Sequence, residues 1–182
     1  MTTCVVADTE ADFGETQGSK GWHYGYWDVS ADPDGHFDAV DFQPMEFCGS
    51  GTWRPSGRCT SQSDDPGFQW TSILCCGLQH PESDPIFEVP VRRWVSDVSG
   101  PARIHAKHGM KVGTGDGTRA ILMVDGVTVW TNDLSTPSPD DASVEADIDV
   151  TLREGTRVEQ LVHPHASSAE DTTFFVVQIQ GR

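Results

Sequence analysis

Positive charge is what this chain has least of. Lysine occurs three times, at Lys20, Lys107 and Lys111, and all basic residues together number 12 against 28 acidic ones, a formal net charge of −16. A field of that sign repels phosphate backbones, so nucleic acid is excluded as a natural partner. Long apolar runs are missing too: no stretch approaches the ~20 residues of a membrane-spanning helix, and no membrane association is expected. The opening Thr2-Thr3-Cys4-Val5-Val6-Ala7-Asp8 lacks the basic start and apolar middle of a secretory signal. The chain is therefore expected either to stay inside the cell or to be a mature domain cut from a larger secreted, extracellular protein.

Catalytic signatures are scarce. There is no Gly-x-Ser-x-Gly, no glycine-rich phosphate loop ending in Lys and no His-Glu-x-x-His, which leaves nucleophilic, phosphoryl-transfer and zincin chemistry without a recognisable carrier. The five cysteines are an odd number and none stands in Cys-x-x-Cys, which argues against a zinc ribbon. Cys48 and Cys59 bracket a Gly/Ser/Pro-rich loop, residues 49–58, and are either joined as a disulfide or two free thiols. The adjacent Cys75-Cys76 follows Ile73-Leu74 and is read as buried packing.

What the later half does have is period two. The segment 87–95, then 102–106, 120–124, 127–130, 144–152, 158–162 and 172–179 are each apolar-alternating or β-branched, and no helical period of comparable strength competes with them. Asp125-Gly126 between two such runs is a hairpin signal, because both turn positions need positive φ. Seven strands with turns at this spacing predict an all-β antiparallel β-sandwich of jelly-roll type. The first 85 residues are loop-rich and hold four of the six tryptophans. They are expected to add one or two strands and long loops to the same sandwich, so that residues 1–182 form a single domain.

Four constellations could carry function. Trp22, Tyr24 and Tyr26 share a strand face at period two, with His23 and Trp27 on the other. Such a stripe is either core or a stacking platform for the apolar face of a sugar ring, and Trp70 is a further aromatic candidate. His80, Arg92 and Arg93 could hold a carboxylate or sulfate, or pair with the chain's own acids. Asp32, Asp34 and Asp38 around Gly35 read as a partial calcium loop or a solvated acidic turn, with structural Ca²⁺ as the implied ion. Finally, His163, His165 and Glu170 form half of the metal pattern of cupins, with His105 or His108 as a possible fourth ligand. They are the basis of an alternative reading as a small metal-dependent β-barrel enzyme.

Two strings also carry a resemblance. Gly21-Trp22-His23-Tyr24-Gly25-Tyr26-Trp27-Asp28 and Val91-Arg92-Arg93-Trp94-Val95-Ser96, with His80-Pro81, Gly115-Asp116-Gly117, Val124-Asp125-Gly126-Val127 and Asp171-Thr172-Thr173-Phe174 in the same order, span nearly the whole chain. Together they resemble an accessory β-sandwich module found beside bacterial polysaccharide-degrading enzymes, similar to galactose-binding-like carbohydrate-binding domains. The resemblance implies a non-catalytic module that binds a polysaccharide or oligosaccharide, an anionic one where the arginines take part, and an attached or neighbouring catalytic domain. One loop departs from the family: His163-Pro164-His165-Ala166-Ser167 stands where relatives usually read Asp-Pro-Gly-Gly-Asn.

Overall fold

The strand pattern after residue 86 is realised run for run. A computed structural model of the chain describes residues 4–60, 69–84, 86–111, 115–134, 143–169 and 171–182. In it, the later half forms β8 (Glu88–Val95), β9 (Gly100–Met110), β10 (Thr118–Val124), β11 (Val127–Leu134), β12 (Val144–Leu152), β13 (Arg157–Pro164) and β14 (Thr173–Gly181). Asp125 and Gly126 take φ of 50° and 81° at the β10–β11 turn, as the Asp-Gly signal requires. Along β12, Ala146, Ile148, Val150 and Leu152 turn inward while Glu145, Asp147 and Asp149 face out opposite Lys107, His105 and Arg103 of β9. These exposed ion pairs are worth little each, but they occupy basic residues of a chain that has few.

The earlier half departs from expectation. Besides β1 (Cys4–Asp8) and β2 (Trp22–Asp28) it contains five strands of two or three residues: β3 (Gln43–Pro44), β4 (Glu46–Phe47), β5 (Thr52–Arg54), β6 (Ser72–Leu74) and β7 (Leu78–His80). Two or three residues are too few to show a period, so such strands leave no trace in a sequence pattern. They extend both sheets. One runs β12-β9-β14-β7-β6-β5-β4 with β1 also on β14, the other β11-β10-β13-β8-β2-β3, and the pairings are antiparallel. Cys48 and Cys59 are joined as a disulfide that closes the loop after β4.

Between the sheets lies a core of Trp22, Tyr24, Trp94, Leu122, Val158 and Val162 from one side and Ile104, Ala106, Phe175, Val177 and Ile179 from the other. A second apolar cluster sits on the outer face of the β11–β3 sheet, where Trp27, Val89, Val91, Met123 and Leu161 are covered by Phe37 and Phe42. The segment between β2 and β3 therefore folds back over its own sheet. That fold-back shapes the surface cleft described next.

Candidate functional site

Strand register assembles a surface that the sequence keeps far apart. On β10, Arg119, Ile121 and Met123 have opposite parity to the inner Ala120 and Leu122, and Arg119 pairs across to His163 of β13 and to Asp133 of β11. Trp27, of the parity opposite to Trp22 and Tyr24, lies on the same outer face. The loop 29–42 rises beside it, carrying His36 and Phe37. Between loop and strands is a cleft of about 440 Å³ lined by Trp27, Phe37, His36, Arg119, Thr128 and His163 above an apolar floor. That volume falls within the ~300–1,000 Å³ typical of small-molecule sites.

The cleft wall is held from within the chain. Trp27 Nε1 donates to Asp32 Oδ2 at 2.9 Å, Asp34 N–H to Asp32 Oδ1 at 3.1 Å, and His36 N–H to Asp34 Oδ1 at 2.9 Å. Val40 N–H donates to Asp38 Oδ1 at 2.8 Å. Asp32, Asp34 and Asp38 thus serve as side-chain caps of their own loop, a common use of Asp in turns. Phe37 packs on Trp27 with ring centroids 5.8 Å apart. Arg93 Nη2 reaches Ala39 O at 3.4 Å while its guanidinium lies 4.0 Å over the Phe42 ring.

Burial favours the neutral form of His163. Its Nδ1 is bonded to the Pro164 carbonyl, so Nδ1 carries the hydrogen and Nε2 is the acceptor. Burial lowers its pKa, the carbonyl bond opposes that shift, and the nearby Arg119 adds to it. Arg119 donates from Nε to Asp133 Oδ1 at 2.7 Å. The cleft thus presents an acceptor at His163, donors at Arg119, a hydroxyl at Thr128 and the carbon edges of two aromatic rings.

The aromatic stripe is not a platform. Trp22 and Tyr24 are each 1% exposed and stand in the core, Tyr24 stacked on Trp53 at 4.8 Å. Tyr26, half-buried against the same core, gives its hydroxyl to Gln43 Oε1 at 2.9 Å. Period two showed that the three share a face, and that face is the inner one because a second sheet covers it. The two arginines are likewise committed elsewhere. Arg92 is fully buried and its Nη2 donates to the carbonyls of Leu74 at 2.6 Å and Leu78 at 2.9 Å, tying down the β6–β7 turn. Burial lowers its pKa to about 10, so it remains charged. Arg93 forms an ion pair with buried Glu159 at 2.6 Å. Neither is available to an anionic ligand. A guanidinium inside a sheet can satisfy its donors only on the chain itself.

Trp70 and His80 do come together, with ring centroids 5.5 Å apart at another corner. Trp70 is 45% exposed and His80 buried, its Nδ1 2.7 Å from Pro81 O, with a pKa lowered by that burial. Below them Glu82 accepts the Trp70 N–H at 2.7 Å and the Ser168 hydroxyl at 2.8 Å.

The transition-metal set is not assembled among the described residues. His165 Nε2 faces Asp133 at 3.9 Å, and Glu170 lies outside the described residues. His108 is buried between Asn132 and Thr118, and His105 is on the surface with Asp147. Among the described residues, three ligand atoms within 4.8 Å of one another occur only at Glu46, Cys48 and Cys59, and there both sulfurs are in the disulfide.

Sequence reasoning missed His36, Phe37, Arg119 and Thr128. Trp27 on the face opposite the stripe was the available signal; the pairing of residues 119 and 163 had none.

No family model and no curated relative matches the chain. Among solved structures, a family 35 carbohydrate binding module from an environmental isolate is similar at 19% identity and TM-score 0.36, over 52% of this chain and 66% of that one. A family 35 carbohydrate binding module from Clostridium thermocellum is similar at 14% identity and TM-score 0.36, over 58% of this chain and 89% of the other. A cyclase from Fischerella sp. TAU is similar at 9% identity and TM-score 0.42, over 98% and 97% of the two chains. Superpositions of this extent leave function to be read from the chain's own side chains.

Proposed function

We propose that this chain is a non-catalytic carbohydrate-binding module and that a segment of polysaccharide occupies the cleft beside Phe37. The observation that carries the reading is the cross-strand pair Arg119 and His163 facing the Trp27 and Phe37 edges across one concavity. A sugar ring needs both kinds of surface: carbon edges against its C–H face, and fixed donors and acceptors for its hydroxyls. The resemblance of the Gly-Trp-x-Tyr-Gly-Tyr and Val-Arg-Arg-Trp strings to accessory modules points the same way, although here the second glycine and both arginines build the sandwich and its cleft wall. Arg119, shared with Asp133, is the group that would turn toward a uronate carboxylate if the glycan is anionic. The implied partner is a polysaccharide-degrading catalytic domain, attached or neighbouring.

A second reading places the sugar on the exposed face of Trp70 beside His80. Affinity electrophoresis against neutral and uronate-containing polysaccharides separates the two. Binding weakened about tenfold or more by Arg119→Ala with His163→Ala, and unaffected by Trp70→Ala, supports the cleft. The reverse result moves the site to Trp70, and binding that survives all three substitutions removes both.

A further inference from the structure

The β6–β7 turn brings together on the surface the two cysteines that the sequence pattern assigns to packing. Cys75 and Cys76 are both exposed, and their Sγ atoms lie 3.4 Å apart. In extended chain, adjacent side chains diverge to opposite faces. Here Cys76 adopts a left-handed φ of 60° and Gly77 one of 76°, and the two thiols meet. A positive φ is uncommon for a residue other than glycine and draws attention where it occurs.

The turn is fixed on several sides. Cys75 N–H donates to Gly51 O at 2.8 Å, and Arg92 Nη2 holds Leu74 O and Leu78 O, the residues on either side of the turn. At Gly77 a Cβ would come within 2.5 Å of Val176, so the backbone cannot shift toward β14. The buried Arg92 guanidinium is a fixed positive charge near the pair, bonded to the carbonyls on either side of it. Glu10 borders the turn from the other side.

We propose that Cys75 and Cys76 form a bidentate site for one soft, thiophilic centre: trivalent arsenic or a d¹⁰ metal ion such as cadmium. An atom about 2.3 Å from each sulfur, the zinc–thiolate length, would subtend roughly 95° at the present spacing, and a larger ion with a longer bond a narrower angle. Closing the pair into a disulfide instead would require the sulfurs to approach to about 2.05 Å within a ring built around a single peptide bond. With phenylarsine oxide, each thiol gives up its proton, two As–S bonds form, the arsenic-bound oxygen leaves as water, and arsenic keeps its oxidation state. With Cd²⁺, two Cd–S bonds form as thiol protons are released to solvent.

The test uses the whole chain, treated with phenylarsine oxide or with Cd²⁺ alone. Intact mass is expected to show one phenylarsenic group per chain, resistant to a monothiol and removed by a dithiol. Cadmium–thiolate absorbance in the near ultraviolet is expected to saturate at one ion per chain. Cys75→Ser and Cys76→Ser should each abolish both signals, while Cys4→Ser keeps them. Because the turn is on the surface, melting temperature reports whether each variant is folded. Single serine variants that still take up the arsenical, or a wild-type chain isolated two hydrogens lighter at Cys75-Cys76 and inert to the probe, would overturn the assignment. Arsenical capture without cadmium capture restricts the site to the trigonal centre, and cadmium capture without arsenical capture overturns the bidentate geometry.

Discussion

Phe42 packs against the backbone of Gly25, so close that a Cβ there would come within 2.5 Å of its ring and of the Gln43 carbonyl. The second glycine of the Gly-Trp-x-Tyr-Gly-Tyr string is therefore the seat of the loop that walls the cleft. Gly25→Ala is expected to force Phe42 off the sheet at a cost of about 1–3 kcal/mol, the usual range for overpacking. Urea denaturation measures that loss. Trp27 fluorescence should shift with it, since Phe37 and Asp32 leave the indole together. An alanine variant of wild-type stability and spectrum would show that the loop is held elsewhere.

Arg92 supports a different prediction, because it is fully buried and bonded to carbonyls rather than to a carboxylate. Arg92→Ala takes the side-chain donor away from the part-buried Leu74 and Leu78 carbonyls, at about 1–3 kcal/mol for each group left unpaired. Stability should fall by several kcal/mol while any saccharide affinity of the folded fraction is unchanged. Loss of affinity for an anionic glycan without loss of stability would restore Arg92 as a ligand-binding residue.

Stability should depend on pH through two groups of opposite sign. His108 is buried between Asn132 and Thr118, and burial lowers its pKa to about 4, with Asp133 opposing and His165 adding to the shift. A base depressed in the fold contributes stability that is complete above its ordinary value of 6.5 and is lost as pH falls toward 4. At about 1.4 kcal/mol per pH unit the loss is on the order of 3 kcal/mol. Asp171 runs the other way. Its carboxylate is buried, and burial, reinforced by repulsion from Asp116 and opposed by the backbone N–H of Gly117, raises its pKa to about 7. An acid raised in the fold is favourable at low pH, and that contribution is lost as pH rises from 3.8 through 7. Asp171→Asn should therefore be more stable than wild type at pH 8, with the gap closing toward pH 4. His108→Gln should remove part of the acid-side loss. Denaturation midpoints across pH 4–8 check both, and parallel profiles for wild type and both variants would rule out either group as a contributor.

How much of this could be read beforehand varied with what period two encodes. It places residues on a common face but does not say whether that face is inner or outer. That sufficed for β8 to β14, where alternation itself marks burial. It failed at β2, where Trp22, Tyr24 and Trp27 are aromatic on both faces and only the neighbouring sheet decides. The Val-Arg-Arg-Trp string looked like two ligand-binding cations because its partners are distant in sequence: Glu159 for Arg93, and turn carbonyls at Leu74 and Leu78 for Arg92. Cys75-Cys76 looked like packing because a turn with positive φ at a non-glycine residue has no local signature. The cleft was legible only at one edge, through Trp27, since Arg119 and His163 meet by register across β10 and β13.

The acidic loop gives the last prediction. A calcium ion takes six to eight oxygen ligands, mostly carboxylates and carbonyls free to turn toward it. In the 32–41 segment the carboxylates already have work: Asp32 accepts the Trp27 indole N–H and the Asp34 amide, Asp34 the His36 amide, Asp38 the Val40 amide, and Asp41 the Asp38 amide at 2.7 Å. Together these bonds set the loop's course beside the cleft that His36 lines. Chelation with EDTA should therefore leave the melting temperature unchanged, and added Ca²⁺ should not raise it. Asp32→Ala, by contrast, removes an acceptor from both Trp27 and Asp34 and should cost about 1–2 kcal/mol, as loss of a side-chain cap does. A melting temperature that drops on chelation and recovers with Ca²⁺, in wild type but not in Asp32→Ala, would mean instead that the same oxygens face a cation, and that the cleft wall is assembled only when it is bound.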